Sequence, residues 1–105
     1  MSELTGTFYI GQIVVHRRFG YRGVVYDVDP RFMLSEDWYE RVALTRPPKD
    51  APWYHVLVDG VNHATYVAER NLNSTADPSP IRHPLIETYF EDFNGEFYEA
   101  LAAKN

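Results

Sequence analysis

Hydrophobic alternation is clearest at residues 53–58. There Trp53, His55 and Leu57 alternate with Tyr54, Val56 and Val58, and Asp59-Gly60 then supplies a hairpin-type dipeptide. Ala64 to Val67 reads as the returning strand. Upstream, Ile13-Val14-Val15 is apolar at consecutive positions, which suits a central strand or one covered on both faces. Gly11 just before it marks a bend or a close approach of backbones. The segment "FGYRG" predicts a turn in which Gly20 and Gly23 both take positive φ. Beyond it, Val24, Tyr26 and Val28 point one way and Val25, Asp27 and Asp29 the other, a half-buried strand that Pro30 ends.

Between these hairpins the period changes. Ser35 is placed to cap a short helix whose first turn holds Glu36 and Asp37, with Trp38 and Val42 on one face and Pro47-Pro48 as the stop. "AERNL" reads as one helical turn, and "NSTADPSPIRHP" as a Ser/Pro-rich linker. Leu85, Ile86, Tyr89, Phe90 and Phe93 then recur at three- and four-residue spacing, predicting an amphipathic helix that Asn94-Gly95 can interrupt. The expected organisation is a barrel over residues 1–72, a linker over 73–84 and an acidic helical tail over 85–105. The expected fold class is mainly β: a small SH3-like antiparallel barrel with a short helical excursion and a C-terminal amphipathic helix.

Composition narrows the function classes. The 105 residues fit one domain, and an aromatic content of 15% lets a small core bury much area per side chain. The absence of cysteine removes disulfides, thiolate chemistry and cysteine metal cages. The N-terminus lacks a signal-peptide pattern and no run is long enough for a membrane span, so the expectation is a soluble cytoplasmic protein. The formal charge is -5. Residues 81–105 carry five acids against two bases, while residues 1–80 carry ten against eight, so the tail supplies most of the excess. Such a balance argues against broad, non-specific attachment to a nucleic-acid backbone.

Few residues are spaced for catalysis. There is no nucleophile elbow and no phosphate-binding Gly loop. His16, His55, His63 and His83 form no His-x-His or HExxH pair, so no metal or cofactor is expected. Asp27 and Asp29 share a strand face, and the expectation is a polar surface with Asp29 bonding locally before Pro30, not an acid–base pair. The turn at residues 16–23 is the best candidate site. Arg17, Arg18 and Arg22 can contact phosphates and Phe19 or Tyr21 can stack on bases, or all of them can be hairpin residues closing one end of the barrel. The DNA-binding candidates are therefore Arg17, Arg18, Tyr21 and Arg22. Candidates for partner binding are the aromatic groups Trp38, Tyr39, Trp53, Tyr54 and His55, with Phe90, Phe93 and Phe97 from the tail.

Four stretches together, "IGQIVVHRRFGYRGVVYDVDP", "SEDWYERV", "APWYHVLVDG" and "TYVAERNL", resemble the heat shock protein HspQ family, whose fold is also called the YccV-like hemimethylated-DNA-binding domain. The resemblance runs from about Ile10 to Leu72. It implies a five-stranded SH3-like barrel and a non-enzymatic role. It also implies that Gly20, Tyr21, Gly23, Asp27, Asp29, Pro30, Trp53, Tyr54, His55, Tyr66 and Glu69 define the fold and surface. Members of this family are described as binding hemimethylated DNA at the replication origin. They are also described as promoting substrate degradation by the Lon protease, including that of the initiator DnaA. The expected function is thus an adaptor or specificity factor acting with a Lon-type protease and its substrates, with hemimethylated DNA binding as the alternative. A third reading is self-association through the doubly apolar Ile13–Val15 strand, as a homo-oligomer such as a trimer.

Overall fold

The computed structural model describes residues 7–101. Its elements are β1 (Ile13–His16), β2 (Arg22–Asp29), α1 (Glu36–Val42), β3 (Trp53–Val58), β4 (Ala64–Ala68), a 3-10 turn (Glu69–Asn71), β5 (Leu72–Ser74), α2 (Ile86–Tyr89), β6 (Phe90–Phe93) and β7 (Tyr98–Ala100). The first five strands form one antiparallel sheet in the order β4-β3-β2-β1-β5, and β6 and β7 form a separate hairpin. The mainly β expectation therefore holds. So do the Ser35 cap, whose Oγ accepts the Trp38 N–H at 3.0 Å, and the turn at Gly60, with φ of 86°.

Both faces of the central strands are buried. On one face, Val14, Val25, Tyr54, Val56, Val67, Leu72 and Phe8 form a core, with Tyr21 and Val28 against it. On the other, Ile13, Val24 and Leu57 pack with Ile81, Phe90 and Tyr98 from the C-terminal segment. Val24, Val25, Tyr54, Val56 and Leu57 have no exposed area, and each such aliphatic side chain contributes roughly 1.5–3 kcal/mol. The apolarity of both sides of β1 is thus consumed within one chain and does not require a second copy. A third cluster joins Tyr39 of α1 and Ala43, which caps its C-terminus, to Trp53 and Ala68, seating the helix over the ends of β3 and β4.

Four features differ from the sequence reading. The strict alternation of β2 breaks between Val25 and Asp27, where a bulge shifts the register against β3. Tyr26 consequently stays with Val24 on the second core, whereas Val28 crosses to join Val25 on the first. Gly23 does not take positive φ. It lies inside β2, where an added Cβ would sit 2.4 Å from Val56 Cγ1, so close packing is what requires glycine there.

The other two differences lie after Leu72. Residues 73–84 are not a free linker: Leu72–Ser74 pair with β1, and Ile81 is 4% exposed in the second core. The expected C-terminal amphipathic helix is one turn, Ile86–Tyr89, followed by a hairpin. Asn94 Oδ1 accepts the N–H groups of Glu96 and Phe97, and Gly95 has φ of 97°. These residues make a turn whose two arms place Phe90 and Tyr98 on the exposed side of the sheet, and covering that side outweighs the local helical spacing. Residues 102–105 of the predicted tail lie outside the described residues.

Gly11 locks this second layer down. It has φ of 96°, its carbonyl accepts the Tyr98 N–H at 2.8 Å, and an added Cβ would lie 2.0 Å from the Tyr98 carbonyl oxygen. Gly20 also has positive φ but open space around it. Gly11→Ala should cost about 2–4 kcal/mol, combining backbone strain with overpacking, and Gly20→Ala only about 1–2 kcal/mol. Thermal or urea unfolding checks this; equal costs for the two variants would contradict the close-packed reading of Gly11.

Candidate functional site

The basic turn is organised by a buried histidine. His16 is 7% exposed. Its Nδ1 accepts the backbone N–H groups of Arg18 and Phe19, each at 3.1 Å, and its ring stacks on Phe19 at 4.7 Å and lies 5.1 Å from Tyr21. Burial, and secondarily the Arg18 cation, hold its pKa below the ordinary 6.5. The neutral imidazole is the form that can accept both N–H groups.

The four DNA-binding candidates separate into two kinds. Arg17 and Arg18 are exposed. Tyr21 is half-buried, with its hydroxyl 2.8 Å from Thr65 Oγ1. Arg22 is committed to the fold: its guanidinium donates to the carbonyls of Asp77 and Ser79 at 3.0 and 2.8 Å, and to Asp59 Oδ2 at 3.1 Å. Asp59 in turn accepts the Arg82 N–H at 2.8 Å. This fixes the path of residues 77–82 across the sheet, so Arg22 positions the second layer and presents no free cation to a phosphate.

The aromatic candidates divide similarly. Tyr39, Trp53, Tyr54 and Phe90 are core residues at 7%, 1%, 0% and 3% exposure. Tyr39 and Trp53 donate to the carbonyls of Pro47 and Pro48, anchoring the Pro-Pro segment. Phe93 packs against Tyr98 at 4.8 Å and Phe97 edge-on against Tyr9 at 5.7 Å, within the C-terminal layer. Trp38 and His55 remain partly open. Trp38 shares with Val42 the α1 face that its spacing predicts, and that face forms one wall of a groove.

The groove, of about 280 Å³, runs between α1 with the residues after it and the β1–β2 turn. Phe19 and Tyr21 stand on one side and Trp38, Val42 and Leu44 on the other, with Thr65, Tyr66 and Val67 along the floor. Phe19 is 74% exposed and Leu44 76%. Among the described residues, Arg18 is the one charged side chain lining it. Leu44 and Tyr66 escape sequence reading as site residues: Leu44 follows a helix end with no periodic partner, and Tyr66 looks like an ordinary strand aromatic.

Past Trp38 and Tyr66 the surface opens toward Tyr26, Leu34 and His55. Asp29 Oδ2 accepts the Tyr66 hydroxyl at 2.7 Å and lies 3.1 Å from His55 Nε2. It therefore bonds across strands, and it is Asp27 whose Oδ1 takes a local bond, from the Val28 N–H. Burial, then the Asp29 carboxylate, raises the Tyr66 pKa. Asp27, Asp29 and His55 each place one potential ligand atom within 4.8 Å of the others, although Asp29 and His55 already satisfy one another. The grouping depends on the β2 bulge, which sets Asp27 opposite His55, so linear motif spacing does not reveal it.

A five-stranded antiparallel sheet with a second layer and an aromatic-walled groove defines a small, mainly β domain. The chain matches the model of the family described as "Hemimethylated DNA-binding protein YccV like" over residues 6–97, and it belongs to that family. It is also similar to F-box only protein 21 of Homo sapiens and of Pongo abelii, 34% identical over 93 residues in each case, and of Mus musculus, 33% identical. The match covers 87% of this chain but 15% of those proteins, so the chain spans a small part of the curated relatives it matches.

The state of His16 gives a pH test. Because its folded pKa lies below the ordinary value, the unfolded chain takes up the proton more readily, and stability rises with pH through this window. The contribution is fully present above pH 6.5 and is lost as pH falls below it. Lowering pH from about 7.5 to about 5.5 should speed amide exchange at Arg18 and Phe19 and lower the thermal midpoint. An NMR titration placing His16 above 6.5 would contradict the acceptor role of Nδ1.

Proposed function

We propose that this protein is a non-enzymatic, cytoplasmic accessory of protein degradation, an adaptor or specificity factor that presents substrates, such as the initiator DnaA, to a Lon-type protease. The observation carrying this reading is the apolar groove with Phe19 and Leu44 about three-quarters exposed on its two walls. Apolar side chains held this far into water, around a concave floor, suit a protein segment rather than a phosphate backbone. The net charge of -5 favours the same class of partner. In a reconstituted Lon degradation assay the protein should accelerate substrate loss. Phe19→Ala with Leu44→Ala should reduce that stimulation about tenfold, equivalent to about 1.4 kcal/mol of binding, while the fold persists. Full stimulation by the double variant would remove the groove from the mechanism.

Binding of hemimethylated DNA is the second reading, favoured by the family description and by the exposed Arg17 and Arg18. With Arg22 engaged internally, about two phosphate contacts come from this turn. Log affinity should then fall against log salt with a slope of only about -2, and Arg17→Ala with Arg18→Ala should flatten it. Equal affinity for hemimethylated and fully methylated duplex would count against this reading.

A further inference from the structure

The sheet edge at the floor of the groove has hydrogen-bonding capacity that the chain does not use. Among the described residues, β4 pairs on one side only, with β3. The Val58 N–H donates to the His63 carbonyl and the Glu69 N–H to the Pro52 carbonyl. With that register, Thr65 and Val67 turn their backbone groups toward β3, and the alternation of an antiparallel ladder sends those of Ala64, Tyr66 and Ala68 outward. Ala43 packs beside Ala68. Among the described residues, the outward N–H and C=O groups of Ala64 and Tyr66 have no hydrogen-bond partner. Edge strands are commonly protected by a charge, a proline or a bulge. β4 reads Ala-Thr-Tyr-Val-Ala and pairs in unbroken register, so it has none of these.

We infer that the groove is a strand-addition site, in which an extended apolar segment of another protein pairs with the free edge of β4 and sets an acidic residue against Arg18. Main-chain bonds to Ala64 and Tyr66 supply affinity without regard to sequence, and alternate side chains of the segment enter between Phe19 and Leu44. The charge follows from the lining: among the described residues, Arg18 is its one charged group and no carboxylate lines the groove, and Arg17 is exposed next to Arg18 in the chain. A second copy of this chain fits less well. Its own β4 carries no charge, and the adjoining Glu69 Oε1 already accepts the Tyr54 hydroxyl at 2.5 Å and the Thr7 N–H at 2.8 Å. The inference rests on the proposed function in taking the groove as a protein-binding surface, and it names the occupant's chemistry.

The test uses the full chain and a synthetic peptide, acetyl-Glu-Glu-Leu-Thr-Leu-Thr-Leu-amide, followed by calorimetry and amide hydrogen exchange. Binding should slow exchange at Ala64 and Tyr66 by at least about tenfold, as new main-chain bonds form. The same peptide N-methylated at its leucines, and the Ala64→Pro variant, should each lose about tenfold or more in affinity. Proline at that position removes an outward N–H and leaves the β3 ladder intact; the N-methylated peptide gives the same information without altering the protein. Replacing the two glutamates by lysines should weaken binding to the native chain, and Arg18→Glu should restore it. Equal affinity of the N-methylated and parent peptides, or no binding of the parent peptide, would overturn strand addition. A native dimer in sedimentation that Ala64→Pro dissociates would overturn it in favour of a second copy. The Lon assay uses no peptide, so it decides the proposed function separately.

Discussion

A sheet whose central strands are apolar on both faces must be covered twice, and this constraint organises the molecule. Ile13 and Val24 face one way, Val14 and Val25 the other, and all four are almost fully buried. One layer is closed by β3, β4, β5 and Phe8. The other cannot be closed by the five strands themselves, so the chain returns after Ser74 and lays Ile81, Phe90 and Tyr98 across it. The cost of leaving that face wet, roughly 1.5–3 kcal/mol for each large aliphatic or aromatic side chain, exceeds any local helical preference of residues 90–98. Arg22 supplies the steering, gripping the backbone of Asp77 and Ser79 so that the return path crosses the sheet where it is needed.

The same constraint divides the surface. The second layer uses the C-terminal aromatics, and the Pro-Pro segment is pinned by Tyr39 and Trp53. The turn at Phe19, the end of α1 and the free edge of β4 remain open around one concavity. His16 holds the turn in shape by accepting two backbone N–H groups from inside it. The site is thus a by-product of where the fold spends its aromatics: the groove lies where the described residues leave apolar walls unpaired and a ladder edge unused.

Much of the fold was legible because the relevant signals are local. Alternation at residues 53–58, the Asp59-Gly60 turn and the Ser35 cap all depend on near neighbours; the Gly11 close approach was marked by residue type alone, and its partner, the distant Tyr98 backbone, was not. The long-range features were not legible. Three- and four-residue spacing over Leu85–Phe93 fits a helix in isolation, and only the exposed face of a distant sheet turns it into a hairpin. A bulge at β2 leaves no mark in residue type, yet it sends Val28 to the opposite core and brings Asp27 beside His55. Arg22 reads like Arg17 and Arg18 in sequence, and its commitment to carbonyls more than fifty residues away appears only in three dimensions. The candidate site was legible at Arg18, Phe19, Tyr21 and Trp38, and not at Leu44 or Tyr66, whose exposure and position come from packing.

The central claim is that the groove contacts a protein during degradation. A photoreactive benzoylphenylalanine placed at position 44, with position 87 in the C-terminal layer as the comparison, tests it most directly in a mixture of protease, substrate and methylated or hemimethylated duplex. The account predicts crosslinks from position 44 to substrate or protease that are absent from position 87. Equal crosslinking from both positions, or crosslinks from position 44 to DNA alone, would contradict it.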